Sequence, residues 1–501
     1  VRLSEAVRGL GLAGAAGDAG NASEPAGGDP EVTGVAHDSR RVEPGDLFVA
    51  LVGQRFDGRR FVADAVGRGA VAVVGPPPEA AGAGIPVPWL VTGAPRAALG
   101  PLAARVYRHP DREMVMAAVT GTNGKSTVAT LLAAIFEAAG RPAGFLGTLG
   151  YRFRERTYAG GFTTPEASDL FRTLRAMRDA GAGAVAMEVS SHALAMGRVA
   201  GAAFDVAVFT NLSRDHLDYH PDLEDYFAAK KRLFSLLKEG GKAVVNLDDP
   251  YGRRLAAELP GALTYGEEGA VAVRQVELDP RGIRGTLVTP RGALPFASRL
   301  VGRYNLDNLL AAAAAAEALA LPHASIAAAL AAEGPVPGRM ELIDRGQPFP
   351  VYIDYAHTDA ALTAALRSTR ELTGTREVAV VFGCGGDRDP GKRPLMGRVA
   401  GELADLPVAT SDNPRSEDPL AILAAVEEGL KASGNRRYRI IPDRRQAIRA
   451  AISEAGPGWT VLVAGKGHER EQVVGDRKLP FSDLEEVERA LEMRYGAAVG
   501  R

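Results

Sequence analysis

The sequence predicts an α/β protein of three domains, on three observations. Its 501 residues exceed what one hydrophobic core can serve, so the chain divides into two to four domains. From residue 114 onward, apolar runs of strand length alternate with helix-like segments, the pattern of parallel sheets covered by helices. Gly121-Thr122-Asn123-Gly124-Lys125-Ser126-Thr127 stands between such a run and a helical stripe, where a phosphate-binding loop belongs.

The elements follow in order. In the first hundred residues, Leu47 to Val52 and Val71 to Gly75 read as strands, residues 11–30 as a loose Ala/Gly/Asp/Pro loop, and Pro95 to Tyr107 as a linking helix. In the middle, Met114–Val119, Ala184–Val189 and Phe204–Thr210 read as strands; Val128, Leu131, Leu132, Ile135 and Phe136 place a helix straight after the glycine loop. Gly334-Pro335-Val336-Pro337-Gly338 looks like a hinge. Beyond it, Val351–Asp354, Glu377–Phe382, Leu406–Thr410, Tyr438–Ile441 and Thr460–Ala464 are strand candidates separated by helices.

Apolar residues make up 46% and charged residues 24%, the proportions of an ordinary globular chain. A net charge of −2 argues against a nucleic-acid or acidic-membrane surface, and Arg436, Arg437, Arg439, Arg444 and Arg445 read as a solvated face. The single Cys384 excludes an internal disulfide framework and fits a reducing cytoplasm. No signal segment is seen at the start, and the longest apolar stretch, Leu309 to Leu321, contains Glu317 and is too short to span a bilayer. A cytoplasmic protein is expected.

Ligands of open α/β sheets sit beyond the carboxyl ends of strands. In the glycine loop, backbone N–H groups face an anion, Lys125 neutralises charge and the Ser126 hydroxyl can hold a metal. The common eight-residue form has a glycine where this chain has Val119, so the loop is a shortened variant. Glu188 and His216 fall at the ends of two other strands of the middle segment, fit to join Ser126 in holding Mg²⁺ against ATP phosphates, or else to act as caps or core hydrogen-bonders. Lys230 falls mid-stripe among Tyr226, Phe227, Leu233 and Phe234, while Lys231 points toward solvent. Lys230 is either a lysine snorkelling from an apolar face or a desolvated amine able to become a carbamate.

In the third segment, Gly383-Cys384-Gly385-Gly386-Asp387-Arg388 lacks the last glycine of the dinucleotide fingerprint, which argues against a nicotinamide enzyme. Asp412-Asn413-Pro414-Arg415 puts Arg415 at a strand's carboxyl end before a helix beginning near Glu417, able to fork onto a carboxylate. Gly465-Lys466-Gly467-His468-Glu469 follows another strand, and Glu469 can receive an ammonium. Together they suit a zwitterionic, amino-acid-like substrate; ordinary turn residues are the alternative.

These motifs together resemble the Mur ligase family, the ATP-dependent amide-bond formers of peptidoglycan synthesis. The resemblance rests on Gly121–Thr127, Thr163-Thr164-Pro165-Glu166, Glu188-Val189-Ser190-Ser191-His192, Asn211–Asp218, Lys230, Asn305–Asn308, Gly338-Arg339-Met340-Glu341 and Asp354-Tyr355-Ala356-His357. It implies a small N-terminal α/β UDP-binding domain (1–98), a central P-loop parallel-sheet ATPase domain (99–338) and a C-terminal Rossmann-like amino-acid-binding domain (339–501). It implies that His37, Ser39 and Gln54-Arg55-Phe56 hold the UDP portion of a UDP-N-acetylmuramoyl dipeptide, with Thr163, Thr164, Ser190 and Arg198 on the rest. ATP would lie on Gly121, Thr122, Asn123, Gly124, Lys125, Ser126 and Thr127, with Asn305, Arg339 and Asp354 around it. Catalysis would fall to Lys125, Glu188, His216 and a carbamylated Lys230, with Mg²⁺ on Ser126, Glu188, His216 and Lys230. Arg388, Asp412, Asn413, Pro414, Arg415, Gly465 and Glu469 would receive meso-2,6-diaminopimelate, whose distal carboxylate explains the arginine that lysine-adding relatives lack. Departures are Phe162 and Met196, where relatives often carry polar contacts, and Thr358-Asp359-Ala360 in place of Thr-Pro-Asp.

The implied reaction makes an acyl phosphate from ATP and the D-glutamate γ-carboxylate, which the diamino acid's free amine then attacks; hinge closure near 334–338 would exclude water. The chain is expected to act as a monomer, with no nucleic-acid partner and no membrane insertion. Three rivals remain: a lysine-adding sister, against which Arg415 argues; a folylpolyglutamate-type ligase, against which the N-terminal unit argues; and a nucleotide-binding regulator, whose ATP turnover would not depend on an amino acid.

Overall fold

Most strands predicted from apolar runs form with ends within one residue of those read from the sequence. The structure, a computed structural model, describes residues 1–14, 28–53, 57–78, 85–374 and 376–496. Most of the expected loose loop at 11–30 lies outside those residues. The chain falls into two compact units: Val1–Thr120 with Gly140–Ala207 and Ala229–Ala243, and Gly121–Ala139 with Val208–Ala228 and Val244–Arg501. No helix among the described residues is long and apolar enough to cross a membrane.

In the first unit, a five-stranded sheet runs in the order Ala13–Gly14, Trp89–Val91, Ala72–Gly75, Asp46–Val49, Gly34–Ala36. All its pairs are parallel except the first. The strand predicted to reach Val52 stops at Val49; Val52 is 55% exposed and bridges only Asp57. A second set of strands places Ala184–Glu188 between Val115–Thr120 and Ala143–Gly147, all parallel and buried on both faces. Their apolar composition is what two-sided burial demands. Antiparallel strands Gly150–Phe153 and Arg156–Tyr158 extend the edge. The register pairs Glu188 with Val119, which sets the carboxylate at the carboxyl edge.

In the second unit, helix Lys125–Ala138 packs against Arg303–Ala318 and His323–Ala332. The apolar stretch from Leu309 is thus a buried helix, whose row of alanines lets its neighbours approach closely. An antiparallel sheet of Ala272–Asp279, Gly282–Thr289 and Gly292–Ser298 was not foreseen. The last sheet runs Glu341–Ile343, Val351–Asp354, Trp459–Ala464, Glu377–Phe382, Leu406–Ala409, Arg439–Ile440, parallel after its first pair. Alternate residues serve its two faces. Val378, Val380 and Phe382 meet Leu362, Leu366 and Met396 on one side, while Ala379 and Val381 meet Ile448, Ile452 and Leu491 on the other.

The arginine cluster corrects the reading of a solvated face. Arg444 is fully buried, forking onto Asp483 at 2.7 Å with neither side chain exposed. Arg437, Arg439 and Arg445 are exposed and paired with Glu377, Glu454 and Glu486. The heptad-free spacing of 436–445 hid that one arginine starts helix Arg444–Glu454 facing inward.

Candidate active site

The glycine loop is clamped in the second unit by the segment after strand Phe204–Phe209. Asn123 N–H donates to Asn211 Oδ1 (2.9 Å), Thr210 Oγ1 donates to Asn123 O (2.6 Å), and Ser213 N–H donates to Thr122 Oγ1 (3.0 Å). Gly121 and Gly124 sit at φ 150° and 86°, and a Cβ on either would run into Thr210 Oγ1 or Asn308 Oδ1. Only glycine meets both demands. Lys125 Nζ donates to Gly121 O (2.9 Å) and Thr122 O (2.8 Å), which folds its charge over the loop. Thr127 lines the cavity below, and Ser126 Oγ accepts from Arg339 Nη2 at 3.1 Å.

Next to the loop is a cavity of about 270 Å³, lined by Asn123, Gly124, Asn308, Arg339, Asp354 and Asp307 among others. Arg339 lies over the Tyr355 ring at 4.6 Å. Asp354 accepts from Tyr304 Oη (2.6 Å), Met340 N–H (2.8 Å) and Ala356 N–H (2.8 Å), and burial raises its pKa. Asn305 does not line the cavity: it is wholly buried and spends its amide on Val301 O (2.8 Å) and Asn308 Nδ2 (3.0 Å). Asp307 does line it, and burial together with Asp248 pushes its carboxyl up to about 7.

His216, at φ 56°, holds its Nε2 3.3 Å from Asp215 Oδ2, and His357 Nε2 lies 3.6 Å from the same oxygen. Burial opposes ionisation of Asp215, but the hydrogen bond from His357 and the two imidazoles outweigh it, so its pKa falls well below the carboxylate range. A carboxylate behind an imidazole fixes its tautomer and orientation.

The second group of predicted residues also comes together within this unit. Gly383 and Gly386 let two strand-end loops touch, since a Cβ on them would meet Thr410 O and Pro414 O; the glycines serve packing. Arg415 adopts φ 52° and donates from Nη1 to Gly386 O (2.6 Å). Burial and then the charge of Arg388 lower its pKa; Arg388 itself is exposed and donates from Nη1 to Asp387 O (2.9 Å). Asn413 Nδ2 donates to Glu469 Oε2 (3.0 Å), and Lys466 Nζ donates to Asn413 Oδ1 (3.1 Å) and Glu469 Oε2 (2.8 Å). Burial alone would raise the Glu469 pKa; Lys466 and Asn413 turn the shift downward. Gly465 N–H donates to Asp354 O (3.0 Å), and Asp412 Oδ1 is 3.6 Å from Lys466 Nζ.

In the first unit, Glu188 is buried at the end of its strand and accepts from Thr148 N–H (2.8 Å) and Thr148 Oγ1 (3.2 Å). Thr148 Oγ1 is 3.2 Å from Thr163 Oγ1. Thr164 is wholly buried, and its hydroxyl donates to Glu188 O (2.9 Å) and accepts from Ser190 N–H (3.1 Å). Ser190 Oγ caps helix Ser191–Ala195. Arg198 pairs with Glu166 at 2.9 Å and lies over the Phe162 ring at 4.4 Å. His37 Nδ1 is 2.8 Å from Ser168 Oγ, and burial lowers its pKa. Ser39 is buried in the turn Ser39–Arg41, while residues 54–56 lie outside the described residues. Lys230 is 1% exposed, which rules out snorkelling to solvent; Lys231 is exposed, as its spacing predicts.

Sequence reasoning missed Thr148 and gave Asp215 and Asp307 no role of their own within the motifs Asn211–Asp218 and Asn305–Asn308. Thr148 directly follows strand Ala143–Gly147, so the strand-end rule alone would have found it.

Three family descriptions match the chain in series: "Mur ligase family, catalytic domain" over 31–107, "Mur ligase middle domain" over 119–316, and "Mur ligase, glutamate ligase domain" over 338–467. A UDP-N-acetylmuramoyl-L-alanyl-D-glutamate–2,6-diaminopimelate ligase of Geobacter metallireducens is 45% identical over 91% of this chain and 93% of its own. The ligase of the same name from Streptomyces coelicolor is 45% identical, with 94% of each chain covered. A solved structure of a ligase of that name is 35% identical, with TM-score 0.65 over 93% of this chain and 95% of its own. With relatives this similar over nearly all of its length, the chain belongs to the Mur ligase family.

Proposed function

We propose that this chain uses ATP to join meso-2,6-diaminopimelate to UDP-N-acetylmuramoyl-L-alanyl-D-glutamate, in peptidoglycan precursor synthesis. One observation carries the choice of amino acid: Arg415 and Arg388 both flank Gly385 in a strand-end site that also presents Glu469, which suits a distal carboxylate and ammonium on one substrate. The near full-length similarity to ligases of that name supports the same reading.

The D-glutamate γ-carboxylate attacks the γ-phosphorus of ATP, and ADP leaves. Backbone N–H groups of the glycine loop and Lys125 stabilise the spreading charge. The free amine of diaminopimelate then attacks the acyl phosphate, and orthophosphate departs as the amide forms. No side chain acts as nucleophile; the residues bind, orient and neutralise. Ser126, Glu188, His216 and Lys230 (as a carbamate) are the residues that would hold Mg²⁺, which supplies Lewis-acid charge neutralisation when bound. Their donors are of the hard oxygen and imidazole kind, and His216 has Asp215 behind it as a metal-binding histidine requires. Lys230 is 1% exposed, so a carbamate formed there would be shielded from bulk water.

The rest of the reading assigns His37, Ser39 and residues 54–56 to the UDP portion, and Thr163, Ser190 and Arg198 to the muramoyl dipeptide. Thr164 acts there through the backbone it holds. ATP takes Gly121 to Thr127, Arg339 and Asp354, with Asn305 supporting Asn308. Domain limits of 1–98, 99–338 and 339–501, a monomeric state and a cytoplasmic location complete it; the lone cysteine supports the location.

Phosphate release is measured with ATP, UDP-N-acetylmuramoyl-L-alanyl-D-glutamate and either meso-diaminopimelate, L-lysine or no amine. Release dependent on diaminopimelate is expected. Equal release in all three would replace the ligase with a nucleotide-hydrolysing regulator, and a preference for lysine would replace the substrate.

A further inference from the structure

The hairpin Glu471–Val474 and Arg477–Pro480 follows the Gly465–Glu469 motif and has no place in the reaction so far. It is tied to Asp412–Arg415 by four hydrogen bonds: Gln472 Nε2 to Asp412 O (2.6 Å), Val473 N–H to Asn413 Oδ1 (2.9 Å), Arg415 N–H to Val473 O (3.0 Å) and Gly475 N–H to Arg415 O (2.7 Å). The three residues it grips, Asp412, Asn413 and Arg415, are all assigned above to the amino-acid substrate.

The grip falls where the backbone needs it. Arg415 is a non-glycine residue at φ 52°, a conformation that costs free energy and persists only where its surroundings over-determine it. Both its N–H and its C=O are taken by the hairpin, one from each side of the strained φ. The Asn413 amide is the second joint: its oxygen accepts from the hairpin and from Lys466, while its NH₂ orients Glu469. The guanidinium and the carboxylate that would meet the two charges of a zwitterion are therefore set by one hydrogen-bonded framework.

We infer that this hairpin is the positioning element for amino-acid selection, with Gln472 as its positioning residue: it fixes the spacing between Arg415 and Glu469 and so enforces diaminopimelate over lysine. The inference rests on the diaminopimelate reading above. Gln472 acts through the Asp412 carbonyl, beside the backbone bonds of Val473 and Gly475 to Arg415, and touches no reacting atom.

The test compares Gln472→Leu and Gly475→Ala with the parent chain, reading KM for diaminopimelate, KM for ATP, kcat, the diaminopimelate-to-lysine ratio of kcat/KM, and Tm. Leucine keeps the volume and deletes the donor to Asp412 O. Alanine at 475 meets open space but strains φ 57°, which loosens the grip on Arg415 O. Each variant is expected to raise KM for diaminopimelate about tenfold and to lower the selectivity ratio similarly, with KM for ATP and kcat held within about twofold. A hairpin of merely structural importance would lower Tm and leave the selectivity ratio alone, and that result overturns the inference. If the parent chain itself shows no preference for diaminopimelate, the reading of the substrate fails instead. Should Gln472→Leu not fold, Gly475→Ala decides on the same readouts; should neither fold, diaminopimelate added to the parent chain must slow hydrogen exchange at Gly475, and unchanged exchange there overturns the inference.

Discussion

Two loops of the second unit leave strand ends and lead toward helices, yet they are held in opposite ways. Gly121–Thr127 places its left-handed backbone at glycines and is clamped by residues 210–213, some ninety residues on. Asp412–Arg415 places a left-handed conformation on an arginine and is held by a hairpin some sixty residues on. On the proposed reading, the first loop offers backbone to an anion, so small residues suffice. On the same reading the second aims a long side chain at one substrate, and a relaxed backbone would let it swing. On that reading, a loop that offers backbone relies on glycine, and a loop that offers a side chain relies on a hairpin that holds its strained arginine.

The largest expected effect breaks the glycine loop: Lys125→Ala should reduce phosphate release by about a thousandfold, read as kcat, because the charge it neutralises is largest in the transition state. The turn that leads to Glu469 has a buried support to break. Asp483→Ala leaves Arg444 buried without its partner beneath the Ala464–Gly465 turn, and should cost roughly 3–5 kcal/mol in urea unfolding. A cost under about 1 kcal/mol would mean that the pair is dispensable. Arg415→Ala sharpens the division of labour: KM for diaminopimelate should rise about a hundredfold with KM for ATP unchanged. A parallel rise in both would erase the distinction between the loops. The smallest effect concerns pH. The Asp307 carboxyl sits at about 7 when folded, against an ordinary value of 3.8, so the native state holds the extra proton. Its contribution to stability is therefore present at low pH and is lost as pH rises toward 7. Asp307→Asn should flatten that dependence, raising the urea midpoint relative to the parent at pH 8 but not at pH 4.

The same contrast explains what was legible in sequence. Strands such as Glu377–Phe382 are apolar on both faces and short, so composition alone set their ends. The antiparallel sheet from Ala272 to Ser298 escaped notice because its first strand, Ala272–Asp279, alternates between exposed and buried residues only loosely, with a register shift between Arg274 and Glu277. At the site, motifs made of adjacent residues were readable. Asn305 misled because its neighbour Asn308 is the one that faces the cavity, a choice made by helix rotation that a run of similar residues conceals. Gln472 was invisible, since its importance lies in a carbonyl oxygen of Asp412 and not in any pattern of its own. Arg444 was misjudged for the opposite reason: it was read with its arginine neighbours when its true partner is Asp483, on another helix.

The enclosure of Lys230 next to an open Lys231 has a practical consequence for chemical labelling. Bulky acylating reagents should mark 231 and spare 230 in the native chain, which makes adjacent residues an internal pair of reporters. A molecule as slim as carbon dioxide meets far less hindrance, so the packing itself filters which electrophiles reach that amine.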